Sequence, residues 1–105
     1  MHEVRLSEPC IQKIDTYIRR YRESFESLYS DTGIWSEDQI IAQYTKESKT
    51  RRNEIVEVIE VELSEENVLG RTSETTTKLQ WRSKVISLEW KTEGSTRIIT
   101  EIQIR

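Results

Sequence analysis

Asn53-Glu54-Ile55-Val56-Glu57-Val58-Ile59-Glu60-Val61-Glu62-Leu63 is the stretch on which the fold turns. It is dense in residues branched at Cβ, which suit a pleated strand better than a helix. From Ile59 onward it alternates strictly. In a strand, Ile59, Val61 and Leu63 face one way while Glu60 and Glu62 face the other. A helix scatters the same residues around its circumference. The pattern predicts a strand over 55–63, with Ser64-Glu65-Glu66-Asn67 as the turn after it.

C-terminal to that stretch the same alternation recurs. Thr77, Leu79 and Trp81 alternate with Lys78, Gln80 and Arg82; Ile86, Leu88 and Trp90 alternate with Ser87, Glu89 and Lys91. Ile98, Ile102 and Ile104 alternate with Arg97, Glu101 and Gln103. Ser83-Lys84 marks a bend, and Glu93-Gly94-Ser95 reads as a tight hairpin connection.

N-terminal to it the period changes. Ile11, Ile14, Ile18, Tyr21, Phe25 and Leu28 recur at helical spacing and form one apolar stripe. Ser7 suits the N-cap and Pro9 the first turn, while Gly33 suits a left-handed stop. A second, short helix is announced by Ser36-Glu37-Asp38-Gln39, a capping box, with Trp35 and Ile40 placed as a hydrophobic staple. Its buried face is Ile40, Ile41 and Tyr44, and Lys46 to Arg52 then turns polar and basic. The expected architecture is α+β: two N-terminal helices packed on a C-terminal four-stranded antiparallel β-meander, in a single domain over 1–105.

Composition narrows the function. At 105 residues, with 34% apolar and 33% charged side chains, the chain has one thin core that a protein partner or a second copy helps complete. A net charge of −3 argues against a nucleic-acid-coating surface. No run approaches the ~18 apolar residues of a membrane helix. The start of the chain lacks a signal-peptide pattern, and a lone Cys10 excludes an intrachain disulfide. These features predict a cytoplasmic protein without a membrane partner. With His2 the only histidine, no histidine-based triad or metal site is available, and no catalytic residue, metal site or cofactor is expected.

Two local groups are candidates for contact. Lys46, Lys49, Arg51 and Arg52 are a basic cluster suited to an anion or an acidic partner, although cations near a helix C-terminus also offset its dipole. Trp81 and Trp90 fall in phase with the apolar strand faces, where core packing is the simpler reading and a ligand pocket the other.

Helices followed by a long-stranded meander resemble the cystatin-like cone of the nuclear-transport-factor superfamily, in which a curved sheet wraps a long helix. Within it, Tyr17-Ile18-Arg19-Arg20-Tyr21-Arg22-Glu23-Ser24-Phe25 is similar to the first helix of VirB-type bridging domains. That resemblance implies scaffolding, dimerisation or a small-ligand pocket, here lined by Trp81, Trp90, Tyr21 and Phe25. A second resemblance is carried by Lys78-Leu79-Gln80-Trp81-Arg82-Ser83, by Ile86-Ser87-Leu88-Glu89-Trp90 and by the final Ile-rich strand, which look like the sheet of RelE/ParE-type toxins. Val4-Arg5-Leu6 would be their first strand and Leu69-Gly70-Arg71 their loop. This resemblance implies action on translation or gyrase and requires one helix across residues 36–63. Lys78 and Arg105 would fall near the basic catalytic positions of the RNA-cutting branch, while Gln80 and Ser87 stand where that branch has basic residues. The function expected is a non-enzymatic protein-binding or assembly module. The alternatives are a RelE/ParE-type toxin and a small-ligand-binding cone.

Overall fold

The computed structural model describes the chain except Met1, Asp31, Thr32, Ile34, Trp35, Leu69 and Thr72, with backbone alone for 21–30. The order of elements is β1 (Glu3–Leu6), α1 (Glu8–Ser30), α2 (Glu37–Ser64), β2 (Thr76–Trp81), β3 (Lys84–Glu93) and β4 (Thr96–Ile104). The four strands form one mixed sheet in the order β1-β4-β3-β2. β2, β3 and β4 are an antiparallel meander, and β1 lies parallel to β4. The α+β class, the two helices and the three C-terminal strands agree with expectation. The fourth strand does not, because it lies at the N-terminal end and pairs in parallel.

Residues 53–63 are helical, which corrects the strand expected there. The physical reason lies on both sides of the stretch. Upstream, Ser36 accepts the Gln39 N–H at 3.2 Å and the Gln39 side chain accepts the Ser36 N–H at 2.9 Å, so the capping box is complete. A helix once nucleated extends one hydrogen bond per residue, and no Gly or Pro stands between Glu37 and Ser64 to stop it. The helix penalty of Val and Ile is only a few tenths of a kcal/mol each. Tertiary burial outweighs it: Ile55, Ile59 and Leu63, spaced four apart, are all fully buried. Val61, equivalent to Ile59 and Leu63 in the alternating pattern, is 58% exposed. The second helix is therefore long rather than short, and the strand that the cone arrangement needs at 55–63 is absent.

α1 buries Cys10, Ile14 and Ile18 on its described stripe. Ser7 stands at its N-terminal boundary, its carbonyl accepting from Cys10 and Ile11 at 3.0 and 3.1 Å, while its hydroxyl donates to Cys10 Sγ and not to the helix backbone. Tyr21, Phe25 and Leu28 fall where side chains lie outside the described residues, as do Trp35 and its staple. The core is a cluster of these helix residues with Val68, Trp81, Ile86, Leu88, Trp90, Ile99 and Ile102.

Two turns shape the meander. Gly94 takes φ 61° in the two-residue β3–β4 turn, as its position predicts. Arg82 takes φ 54° in the β2–β3 turn, where a non-glycine residue is uncommon. A bulge then changes the phase of β4. Glu89 pairs with Glu101, but Trp90 pairs with Ile99, so Thr100 is the extra residue. Its effect is to put Arg97 and Ile99 on the core side with Ile102 and Ile104, and Ile98 on the outer side. Strict alternation assigned Arg97 to the polar face and Ile98 to the core. Both assignments are reversed by the single inserted residue.

Gly70 closes the free side of β2. Its carbonyl accepts the Lys78 N–H at 2.8 Å and its own N–H donates to Glu62 Oε1 at 3.0 Å. A Cβ at this position would run into the Lys78 carbonyl oxygen. Gly70→Ala is expected to cost about 1–2 kcal/mol, by forcing the loop off β2. A thermal melt within 1 °C of the parent would contradict this.

Candidate functional site

Both helices pack on one face of the sheet, and the other face is open. The strand register arranges it in three rows. Thr76, Glu89 and Glu101 form the first, and Lys78, Ser87 and Gln103 the second. Gln80, Val85 and Arg105 form the third, with Val85 and Arg105 exchanging two backbone hydrogen bonds of 2.9 Å. The first two rows line a shallow cleft of about 380 Å³.

Electrostatics single out the first row. Glu89 and Glu101 face each other across adjacent strands, an arrangement that repels. Lys13 of α1 reaches round the sheet edge to Glu101, Nζ to Oε2 at 3.0 Å. That pair is half exposed and contributes at most about 1 kcal/mol. Glu89 makes no ion pair among the described residues, so the row offers a carboxylate beside a second one only partly neutralised. Lys78 lies diagonally across from Glu89, with Glu101 one strand further on. The face suits a partner that brings a cation to the glutamates and an acceptor to Lys78. Among the described residues no group of three His, Cys, Asp or Glu side chains is placed to hold a metal ion.

The basic cluster predicted from the sequence lies along α2, its four side chains spread round the helix. Lys46 and Lys49 are exposed, whereas Arg51 is half buried and points away from them round the helix. Arg52 is engaged with Asp15 of α1, Nε to Oδ1 at 3.1 Å. Lys46, Lys49 and Arg52 are thus the exposed members of the four, with Arg52 held by Asp15.

Trp81 and Trp90 are 4% and 5% exposed and belong to the core. Tyr17 meets Trp81 edge-on at 6.1 Å, and Trp90 Nε1 donates to the buried Thr77 Oγ1 at 3.0 Å. Neither lines the outer cleft. Tyr21 and Phe25, the other expected pocket residues, have side chains outside the described residues. Cys10 is buried, its Sγ accepting from Ser7 Oγ at 3.2 Å and lying 3.4 Å from the Ile99 carbonyl oxygen. His2 is less exposed than a free terminal residue, with its N–H donated to the Ser64 carbonyl at 2.9 Å.

The residue that sequence reasoning missed is Arg97. It is 4% exposed and sits under the C-terminal end of α2. Nη1 donates to the Leu63 carbonyl at 2.8 Å and the Glu65 carbonyl at 2.5 Å; Nη2 donates to Glu66 at 3.3 Å. The guanidinium lies 5.1 Å from the Trp90 ring centre, and Arg71 lies at the same distance from that ring. Burial first, and the Arg71 cation second, pull the Arg97 pKa below the ordinary arginine value, while Glu66 opposes them. A signal for this role was present: α2 has no basic residue in its last turn, so its carbonyl end calls for a cation from elsewhere.

The chain matches no family model, no curated protein and no solved structure.

Proposed function

We propose that this chain is a non-enzymatic protein-binding module whose partner docks on the open face of the sheet. The observation that carries the reading is the combination on that face: a whole layer left uncovered by the helices, with a facing glutamate pair and Lys78 set in fixed register. The partner's contact surface is polar, with a lysine or arginine for Glu89 and Glu101 and a carboxylate for Lys78. Such complementarity sets specificity and association rate more than raw affinity. The experiment is affinity capture with the parent chain beside a Lys78→Glu/Glu89→Lys variant whose melt matches the parent. A partner held by the parent and released by the variant, by about tenfold or more in Kd, is expected. A partner that binds both equally would overturn the docking face, and no stoichiometric partner at all would overturn the module.

A second reading is supported by a different observation. The strand at Glu3–Leu6 and the unbroken helix at Glu37–Ser64 are the two features the RelE/ParE resemblance requires. On the open face Lys78 and Arg105 are joined by Gln80, Ser87, Glu89 and Glu101, a set that favours the branch acting by binding over the branch cutting RNA. Growth arrest on expression, relieved by a cognate antitoxin, would favour this reading; unaltered growth and translation would remove it.

A further inference from the structure

β1 is the outermost strand, and its ladder to β4 fixes which way its main chain points. Glu3 N–H donates to Ser95 at 3.0 Å and Ser7 N–H donates to Ile99 at 3.1 Å. Odd-numbered residues therefore bond inward. The N–H and C=O groups of Val4 and Leu6 are turned to an edge with no neighbouring strand among the described residues. Pairing at this edge is bounded on one side, because the His2 N–H is already held by Ser64.

The side chains are arranged for a specific occupant. Glu3 and Arg5 are exposed on the outer face, 3.8 Å apart. Val4 and Leu6 face the core side, where a cleft of about 490 Å³ runs beside the strand, with Ile11, Ile14 and Val56 on its walls and Arg52, Glu57 and Glu60 also lining it. The four residues Glu3-Val4-Arg5-Leu6 are self-complementary. Laid antiparallel on a copy of itself about Val4, the strand places Val4 against Val4 as a hydrogen-bonded pair and each Glu3 against the Arg5 of the other copy. The Val4 and Leu6 side chains of the second copy then lie beside the Ile11, Ile14 and Val56 walls of the cleft. A register shifted to centre on Arg5 sets two guanidinium groups against each other. Charge thus selects the Val4-centred register, in which Leu6 falls opposite His2, whose N–H stays with Ser64, so the main-chain bonds across the axis are those of the Val4 pair.

We infer that this edge is the interface of a two-fold symmetric dimer, formed by antiparallel pairing of β1 with β1 of a second copy. Such an interface is isologous, so it closes and does not propagate. It uses the sheet edge, not the open face, and stands independently of the docking proposed above.

Sedimentation equilibrium of the purified chain tests it, alongside Arg5→Glu, Glu3→Arg and the double exchange Glu3→Arg/Arg5→Glu. The parent is expected to dimerise with concentration. Each single variant, which opposes like charges twice, is expected to weaken the dimer by about tenfold or more. The double exchange is expected to restore it to within about threefold, since both pairs are re-formed with reversed sign. Circular-dichroism melts check that each variant is folded. Because β1 is short, Val4→Lys is added as a second probe. It leaves the inward ladder intact, sets two ammonium groups against each other across the two-fold axis and is expected to give a monomer. A parent that stays monomeric to about 1 mM overturns the inference. So does a dimer indifferent to the charge reversals, or a double exchange that fails to restore a folded chain's dimer. The Lys78→Glu/Glu89→Lys variant is expected to dimerise as the parent does.

Discussion

Replacing Arg97 with methionine is expected to lower the unfolding free energy by about 3 kcal/mol and the melting temperature by about 12 °C or more. The side chain holds three carbonyls at the end of α2, those of Leu63, Glu65 and Glu66, and no other cation is supplied by the last turn. Hydrogen bonds from a charged donor contribute about 1.5–3 kcal/mol each, and a carbonyl left dry and unpaired costs a further share. Two terms work the other way. The guanidinium no longer has to be desolvated, and methionine retains much of the contact with Trp90. The balance is set by the carbonyls: that of Leu63 is buried and those of Glu65 and Glu66 are partly so, whichever residue replaces the arginine. Arg97→Lys keeps the charge but not the fork and is expected to recover about half of the loss. Urea unfolding of the three proteins measures this. A loss under 1 kcal/mol for methionine would mean that water reaches the helix end and that Arg97 is not its cap.

Arg97 also shows where the sequence stops being readable. Its position in an alternating run puts it on the polar face, and only the extra residue at Thr100 turns it inward. A bulge has no strong local signature, because Thr100 is an ordinary strand residue. The parallel strand Glu3–Leu6, which only the toxin resemblance places at Val4-Arg5-Leu6, escapes the residue pattern for another reason. Four residues carry too little periodicity to register alone, and the β4 pairing partner lies at the other end of the chain. Signals that depend on neighbours in sequence were legible. The capping box at Ser36, the stop in Gly94-Ser95 and the Ile14–Ile18 spacing all appear in the structure as their local chemistry dictates. The open sheet face was legible in composition, since its polar residues were picked out by alternation. That Glu89 stands against Glu101, and that Lys13 reaches the latter, needed the register.

The segment that decided the architecture supplies the sharpest mutational contrast. In a strand Ile59, Val61 and Leu63 would share one face, and truncating any of them would damage the core alike. In α2 they diverge by about 200° at every second residue. Ile59 is fully buried between α1 and the sheet, and Val61 is largely in solvent. Ile59→Ala is therefore expected to cost about 3–4 kcal/mol, the transfer of the lost methyl groups plus the cavity left behind. Val61→Ala is expected to be neutral or to stabilise by up to about 0.5 kcal/mol, because alanine is the better helix former and little burial is lost. The sign of the second change is the informative one. A loss of about 1 kcal/mol or more at Val61 would place that side chain against something in solution, as the strand pattern does and the helix does not. The two melts together thus test the helix at 53–63 directly, and with it the element order that separates the toxin-like arrangement from the cone.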